Sequence, residues 1–469
     1  MAVPAPVALS RELGPATTML LVVGQVIAVG IFLTPAAMVR DLVAPAWILA
    51  VWVLMGGMAV CGALVFGELA SRYPHAGGVY VYLREAWGPR IAFLYGWKCF
   101  LVMDPGLTAA LAAGLTSYLP NVLAIGPRGQ FAAGVGVIVG LALVNIAGVR
   151  LGARVTAFLS VAKLGLLAIV MFAGVLAPSG DWHHFFPLVE RPVTAAPIVA
   201  ALAGAIVSAF FSFGGWWEAG RMAGEIRDAQ RILPRALVGG LAIITTCYAV
   251  MTALVTYAVP PGRITSSAAF VAELGTTIFG DGGARLLAIV VIVSVGGSLA
   301  AFLMSAPRVY YAMVGDGVFP AALARIDPRR GTPVRAILGQ SALAILILAA
   351  GSFETIVAYF VFITVVFLIA AVAGIYRIRR RDAASPVFRV PGYPWTPLGF
   401  IVPGIVVVAL VAAGNPLQSF AGAAAVATGL LVWPRLKANA APVDLISDAG
   451  GADRSVRRGG AEAPPYTRG

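Results

Sequence analysis

Long apolar runs dominate this chain. Stretches of roughly eighteen or more mostly apolar residues recur along it, each long enough for a helix to cross a bilayer core of about 30 Å. These runs are continuous and do not alternate every second residue, which excludes a transmembrane barrel. We therefore predict an all-α integral membrane protein. Twelve runs are counted, near residues 16–38, 45–70, 90–118, 130–148, 154–177, 196–224, 235–258, 284–314, 335–351, 354–377, 395–413 and 415–434.

Basic residues are distributed unevenly between the two sets of predicted loops. With the N-terminus inside, 26 of the 33 lysines and arginines lie on the inner side and 5 on the outer side. Such a bias indicates that both termini are cytoplasmic. The same residues account for the net charge of +13 through contact with anionic lipid, without nucleic acid. We expect a multi-pass protein of the cell membrane, a cytoplasmic segment over residues 1–15 and a disordered cytoplasmic tail over residues 435–469.

The first predicted span contains two glycines within the sequence GQVIAVGIF, residues 24–32. An unpaired backbone group in hydrocarbon costs several kcal/mol, so a helix breaks at mid-depth only where its freed groups line a cavity or meet a ligand. Close packing of helices is the alternative, because small residues let neighbouring helices approach. Taken alone, this stretch favours close packing of helices over a ligand-binding site.

The sixth predicted span contains a similar interruption, FSFGGWW, at residues 211–217. Five spans separate the two interruptions, so the second set of five helices starts on the opposite side of the membrane. Paired interrupted helices in two inverted halves indicate the binding site of a transporter. We predict a first repeat over residues 16–177, a second over 196–380 and two additional helices over 395–434.

Two broken helices suit a ligand that carries both charges. A half-helix that begins after a break presents free amides and the positive end of its dipole to a carboxylate. A half-helix that ends at a break presents carbonyl oxygens to an ammonium group. A zwitterionic amino acid has both groups on one carbon, so the sequence predicts an amino acid as the substrate.

Several separated motifs resemble the amino acid–polyamine–organocation (APC) superfamily, particularly its L-type amino acid transporter-like members. They are VIAVGIFLTP, GELASRYPHAGGVYVYLREAWGP, FFSFGGWW, GEIRDAQRILPRAL and APRVYYAMVGDGVFP. The resemblance covers about residues 15–435. It implies the five-plus-five inverted-repeat fold with helices 1 and 6 broken, two extra helices, and transport of amino acids by alternating access.

The resemblance also implies where the substrate binds. The carboxylate is expected at the first break and the ammonium at the second, where Phe211 is expected to act as an aromatic gate. Family members commonly have Gly-Ser-Gly where this chain has Ala28-Val29-Gly30, so no hydroxyl is available to the carboxylate. Trp217 stands where members often carry a small polar residue. The expected substrate-binding residues are Ile27, Ala28, Val29, Gly30, Ile31, Phe211, Ser212, Phe213, Gly214 and Gly215.

Lys163 is the most informative charged residue of the predicted spans. It follows Arg154 by nine residues, or about 13 Å along a helix, which is too deep for easy snorkelling. An intramembrane ammonium is a functional-site hypothesis by default. The family resemblance implies that it substitutes for a sodium ion beside the broken first helix, and hence sodium-independent transport. A role as carrier of a coupled proton stays open.

Other charged residues of the spans allow more than one interpretation. Asp104 is a proton carrier, a counter-charge to a substrate amine, or a structural partner of Lys98 or Lys163. Glu218 serves an inner gate or pairs with Arg221, and the pair is favoured. A second acidic and basic group, Glu225, Arg227 and Asp228, is predicted to be a solvated cluster in a cytoplasmic loop.

A secondary carrier is favoured over the other classes of membrane protein. A channel gains nothing from paired broken helices. An enzyme requires a nucleophile and base or metal ligands within the spans, and the three histidines lie in predicted loops. No phosphate-binding GxxxxGK[ST] motif occurs, and we expect no metal and no cofactor. The expected partners are an amino acid, membrane lipid and, where transport is coupled, protons. The protein is expected to be a monomer.

The substrate side chain and the coupling mode are left open. An aromatic, mostly uncharged site favours small or medium neutral amino acids, carried by proton symport or by exchange. A cationic amino acid or polyamine that uses Asp104 is the alternative.

Overall fold

A computed structural model describes residues 11–28, 30–177, 180–191, 197–259, 267–320, 326–327, 330–350, 353–382 and 385–438. Seventeen α-helices account for most of them. They are α1 Pro15–Val26, α2 Gly30–Leu42, α3 Pro45–Arg72, α4 Val79–Trp87, α5 Pro89–Lys98, α6 Asp104–Thr116, α7 Pro127–Ala147, α8 Val149–Val175, α9 Ile198–Ser212, α10 Ala229–Ala258, α11 Ser267–Phe279, α12 Gly283–Ser305, α13 Pro307–Gly315, α14 Val334–Ala350, α15 Phe353–Arg381, α16 Trp395–Gly414 and α17 Pro416–Ala438.

Within these described ranges, ten helical segments are long and apolar enough to cross a membrane. Some of them join two helices, as in Pro89–Asn121, where the π-helix Cys99–Met103 connects α5 to α6. The first predicted span is divided into α1 and α2, and the predicted ninth span corresponds to the shorter α14. The chain therefore has the architecture of a multi-pass membrane protein, while the count of twelve spans and the inverted repeat stay predictions.

Burial separates central helices from lipid-facing ones. In the apolar stretches of the spans formed by α5–α6 and by α12–α13, 72% of the residues are buried. In those of α7 and α8, only 28% of the residues are buried. Large apolar side chains on the outside of α8, such as Phe158 and Phe172, are more than two-thirds exposed. In a membrane protein, such side chains face hydrocarbon. The central helices are therefore positioned to form the site.

Several local elements were not predicted from the sequence. Helix α4 lies in a predicted loop, and α11 lies between the seventh and eighth predicted spans. Helix α17 continues to Ala438, four residues past the predicted boundary at residue 434. The remainder of the predicted tail, residues 439–469, and residues 1–10 lie outside the described part of the chain.

Candidate functional site

The first helix is interrupted at the residues where the sequence predicts a break. Helix α1 ends at Val26, Ile27 takes an extended conformation, and α2 begins at Gly30. Val29 lies outside the described residues. The first amides of α2 have no partner within their own helix. They are therefore available where the sequence analysis places the substrate carboxylate.

The second break follows helix α9. After Ser212 the chain turns through Phe213 and Gly214, and Gly215 has a left-handed conformation with φ of +110°. A ten-residue 3₁₀ helix, Trp216–Glu225, then continues in place of a second α-helix. The sixth predicted span is thus helical on both sides of an interruption at Gly214 and Gly215.

The two breaks contact each other through their glycines. A Cβ added to Gly30 would lie 2.7 Å from Ser212 Oγ and 2.9 Å from Ser212 Cα, and a Cβ added to Gly215 would lie 2.9 Å from the Gln25 carbonyl oxygen. Both contacts are closer than real Cβ atoms allow. The hydroxyl groups of Thr34 and Ser212 are 2.6 Å apart and connect the same two segments. Glycine at these two positions is therefore what lets the interrupted helices meet.

Lys163 binds the end of α1. Its ammonium donates to the carbonyl oxygens of Gly24 at 3.0 Å and Ile27 at 2.6 Å, and to Ser298 Oγ at 2.9 Å. The Ser298 hydroxyl lies 2.7 and 2.8 Å from the same two carbonyls. The side chain is fully buried, and the last carbonyls of α1 carry the negative end of the helix dipole. A cation thus occupies the point where the first helix stops.

A cavity lies between the two breaks, with an empty volume of about 770 Å³ that includes the space at its open side. Its wall includes expected substrate residues from both breaks, together with Trp217 and Glu218. Residues not anticipated from the sequence, such as Gln25 and Phe302, complete it. The full lining is Gln25, Val26, Ala28, Gly30, Met103, Leu107, Leu111, Phe210, Phe211, Ser212, Gly214, Gly215, Trp217, Glu218, Phe302, Val361 and Thr364.

Three expected site residues lie behind this wall. The side chains of Ile27 and Ile31 are fully buried and do not line the cavity. Phe213 packs against the rings of Trp52 and Tyr248, at centroid distances of 5.9 and 5.3 Å. The Tyr248 hydroxyl donates to the Ser212 carbonyl at 2.6 Å. Ile27, Ile31 and Phe213 thus support the two breaks from the side away from the cavity. The side chains of Ala28 and Phe211, in contrast, line the cavity and are half-buried.

Next to the cavity, beside its lining residue Glu218, a buried ion cluster is centred on Arg221. Its Nη1 donates to both carboxylate oxygens of Asp104, at 3.0 and 3.1 Å, and its Nε forms an ion pair with Glu218. The Tyr310 hydroxyl donates to Asp104 at 2.8 Å. The favoured Glu218–Arg221 pair is thus present. Asp104 is paired with Arg221, whereas the sequence analysis considered Lys98 or Lys163 as its partner.

A second ion pair corrects the prediction of a solvated cluster. Glu225 is fully buried and pairs with Arg308 at 2.7 Å. Beside it, Leu13 and the chain at Glu225 to Arg227 exchange two backbone hydrogen bonds, of 2.9 and 3.1 Å. The expectation of solvation was wrong for Glu225 because its partner comes from α13, 83 positions away in sequence. Arg227 is exposed, as expected.

These contacts close the cavity toward the face at which α1 begins, called the N-terminal face below. Between Trp216 and Glu225 every residue except Gly224 is buried. Lining residues farther from this face, such as Leu107, Phe211 and Val361, are half-buried. The described residues around the cavity are thus more fully buried toward the N-terminal face than on the opposite side.

Comparison with known proteins gives the family. A family model described as amino acid permease matches residues 13–432. The chain belongs to the amino acid permease family. This confirms the resemblance inferred from the motifs, because the family lies within the APC superfamily.

Related permeases come from bacteria and mammals. The chain is 28% identical to the serine/threonine exchanger SteT of Bacillus subtilis over 83% of this chain and 88% of that protein. It is 27% identical to the human b(0,+)-type amino acid transporter 1, over 83% and 80% of the two chains. It is also 27% identical to the human large neutral amino acids transporter small subunit 2, over 81% and 72%. The family and these relatives are transporters, which points away from an enzyme.

Proposed function

We propose that this permease is a secondary carrier that moves small or medium neutral amino acids across the cell membrane by alternating access. The observation that carries the proposal is the meeting of two interrupted helices at one cavity. The amides at the start of α2, around Ala28 to Gly30, bind the substrate carboxylate. The carbonyls at the end of α9, around Phe211 to Gly214, bind the ammonium.

The second break still has capacity to accept hydrogen bonds. The Phe211 carbonyl already accepts from the amides of Phe213 and Gly214, the latter at 2.9 Å. The Ser212 carbonyl is engaged by Tyr248. We therefore assign the ammonium to the next carbonyls along the chain, those of Phe213 and Gly214. The Phe211 ring covers the substrate as a gate on the open side.

Transport is proposed to be independent of sodium. The Lys163 ammonium lies against carbonyl oxygens at the end of α1, where a bound cation would otherwise be needed. With this position already occupied, a sodium gradient supplies no driving force. The remaining modes are exchange of amino acids and proton symport. Two of the relatives, a serine/threonine exchanger and a large neutral amino acids transporter subunit, favour neutral substrates, and SteT favours exchange.

The alternative of a cationic substrate bound by Asp104 is weakened by the geometry. Both carboxylate oxygens of Asp104 accept hydrogen bonds from Arg221, and Tyr310 donates to one of them. Asp104 is also missing from the cavity lining. A substrate amine would have to displace a buried arginine, which leaves a charge unpaired at a cost of several kcal/mol.

Uptake into proteoliposomes tests the proposal. Purified protein is reconstituted in empty vesicles and in vesicles loaded with unlabelled amino acid, and a panel of labelled amino acids is offered with imposed proton or sodium gradients. Neutral amino acids should enter without sodium. Dependence on internal amino acid indicates exchange, and entry into empty vesicles driven by a proton gradient indicates symport. Failure to transport any amino acid in either preparation would refute the proposed function.

A further inference from the structure

The part of the cavity nearest the ion cluster combines apolar walls with two polar side chains. Met103 and Phe302 contribute apolar surface there, and Gln25 and Glu218 are the polar members. The exposed fractions of Gln25 and Glu218 are 7% and 0%. We call Gln25 and Glu218 the acceptor pair, because Gln25 Oε1 and the Glu218 carboxylate oxygens accept no well-formed hydrogen bond among the described residues. The Trp217 indole N–H is the neutral donor near the Glu218 carboxylate, and it too lacks a well-formed bond.

The orientation of the Gln25 amide follows from its neighbour. The Ser305 hydroxyl donates to the Phe302 carbonyl at 3.1 Å, so toward Gln25 it can only accept. The Gln25 amide nitrogen therefore faces Ser305, at 2.9 Å. This assignment leaves Oε1 of Gln25 as the atom without a donor. A buried acceptor in this condition costs stability and calls for an explanation.

The Glu218 carboxylate uses one of its oxygens, Oε2, in the ion pair with Arg221. The remaining nitrogens of Arg221 are directed to Asp104, Tyr95 and Cys99. Arg221 therefore cannot serve Oε1 of Glu218 as well. Because Arg221 is itself fixed by these partners, the free oxygen of Glu218 has a defined position at the cavity.

The charges around the acceptor pair already balance. Asp104 and Glu218 are opposed by Arg221 and by Lys98, whose charge acts on both carboxylates. The Lys98 ammonium itself contacts Met103 Sδ at 2.9 Å and Thr364 Oγ1 at 3.2 Å, both from lining residues. A cationic ligand would add an unbalanced charge to a desolvated site. A neutral ligand that donates hydrogen bonds adds none.

From these contacts we infer that Gln25 Oε1 and Glu218 Oε1 bind an uncharged hydrogen-bond donor at the end of the substrate side chain, a hydroxyl or a primary amide. The inference rests on the proposed function and narrows it to polar neutral amino acids. The acceptor pair selects between substrates of equal size, since an analogue without a donor leaves both oxygens unpaired. The apolar walls then limit the length of the side chain.

Pairs of isosteric amino acids test the inference in the wild-type protein. Threonine is compared with valine, and asparagine with leucine, as competitors of labelled substrate in proteoliposomes. The polar member of each pair should compete at least about tenfold better, as expected for a hydrogen bond to a charged or buried acceptor. Thermal stabilisation of the detergent-purified protein by the same compounds gives a second readout that does not depend on turnover.

Variants then assign the effect to the acceptor pair. Gln25→Met and Glu218→Met should each bring the threonine-to-valine ratio toward one, because each removes the acceptor oxygen of one residue. Gln340→Met is the matched control, because Gln340 is also buried and bonds Thr108 away from the lining, and its ratio should stay at the wild-type value.

Three results would overturn the inference while leaving the proposed function intact: equal competition by threonine and valine, better competition by lysine than by threonine, or wild-type ratios in both acceptor variants. Absence of any amino acid transport would instead contradict the proposed function itself.

Discussion

Replacing Lys163 by methionine removes the cation at the end of α1 while keeping an unbranched side chain. The ammonium donates three hydrogen bonds, two of them to the carbonyls of Gly24 and Ile27. In the variant, the Ser298 hydroxyl can donate to the Gly24 carbonyl at 2.7 Å, and the Ser294 hydroxyl can donate to the Ile27 carbonyl at 3.3 Å. Both carbonyls therefore keep one hydroxyl donor but lose the bond to a charged group.

The magnitude follows from the loss of these charge-assisted hydrogen bonds. A hydrogen bond to a charged group contributes about 1.5–3 kcal/mol. Part of this is recovered because the variant no longer buries a charged group. We therefore expect a net destabilisation of the broken conformation by about 2 kcal/mol, which corresponds to a loss of transport of roughly thirtyfold if only that conformation binds substrate.

Transport by Lys163→Met is measured in proteoliposomes with and without sodium, alongside the melting temperature of the purified protein. Phe158→Ala is the control, since this side chain lies on the same helix and is 71% exposed on its outer surface. The control should insert and transport like the wild type. Full sodium-independent transport by Lys163→Met would refute the bracing role that we assign to the ammonium.

Three further substitutions test other contacts. Gly30→Leu should abolish transport without preventing membrane insertion, because its Cβ would overlap Ser212; uptake and surface expression measured together check this, and normal uptake would remove the site from the first break. Phe211→Ala should lower the apparent affinity for amino acids about tenfold through loss of an aromatic contact, and unchanged competition curves would exclude the gate. Arg308→Met should lower stability by about 3–5 kcal/mol because Glu225 is left buried and unpaired, and a thermal unfolding midpoint equal to that of the wild type would contradict this.

The interruptions could be predicted from the sequence because their signal is local. Glycines within an apolar run are visible at Gly30 and Gly215, and the requirement that backbone groups be satisfied in hydrocarbon gives them meaning. The depth of Lys163 could likewise be read from its spacing to Arg154. Its contact with the carbonyls of Gly24 and Ile27 adds the geometry that spacing alone does not contain.

Partners from distant segments could not be predicted in the same way. Glu225 has the sequence context of a solvated loop, and only the fold brings Arg308 to it. Asp104 offered several candidate partners, and selection of Arg221 depends on the crossing of the helices. Gln25 and Phe302 look like ordinary span residues, since every face of a central helix is apolar and periodicity does not separate lining from core.

The backbone pairing of Leu13 with the chain at Glu225 to Arg227 has a mechanical consequence. These two hydrogen bonds attach the segment that precedes α1 to the end of the 3₁₀ helix after the second break. If that helix swings away to release substrate at the N-terminal face, it must either pull the leading segment with it or detach from it. The strength of these two hydrogen bonds would therefore contribute to the free-energy difference between the closed and open conformations at this face.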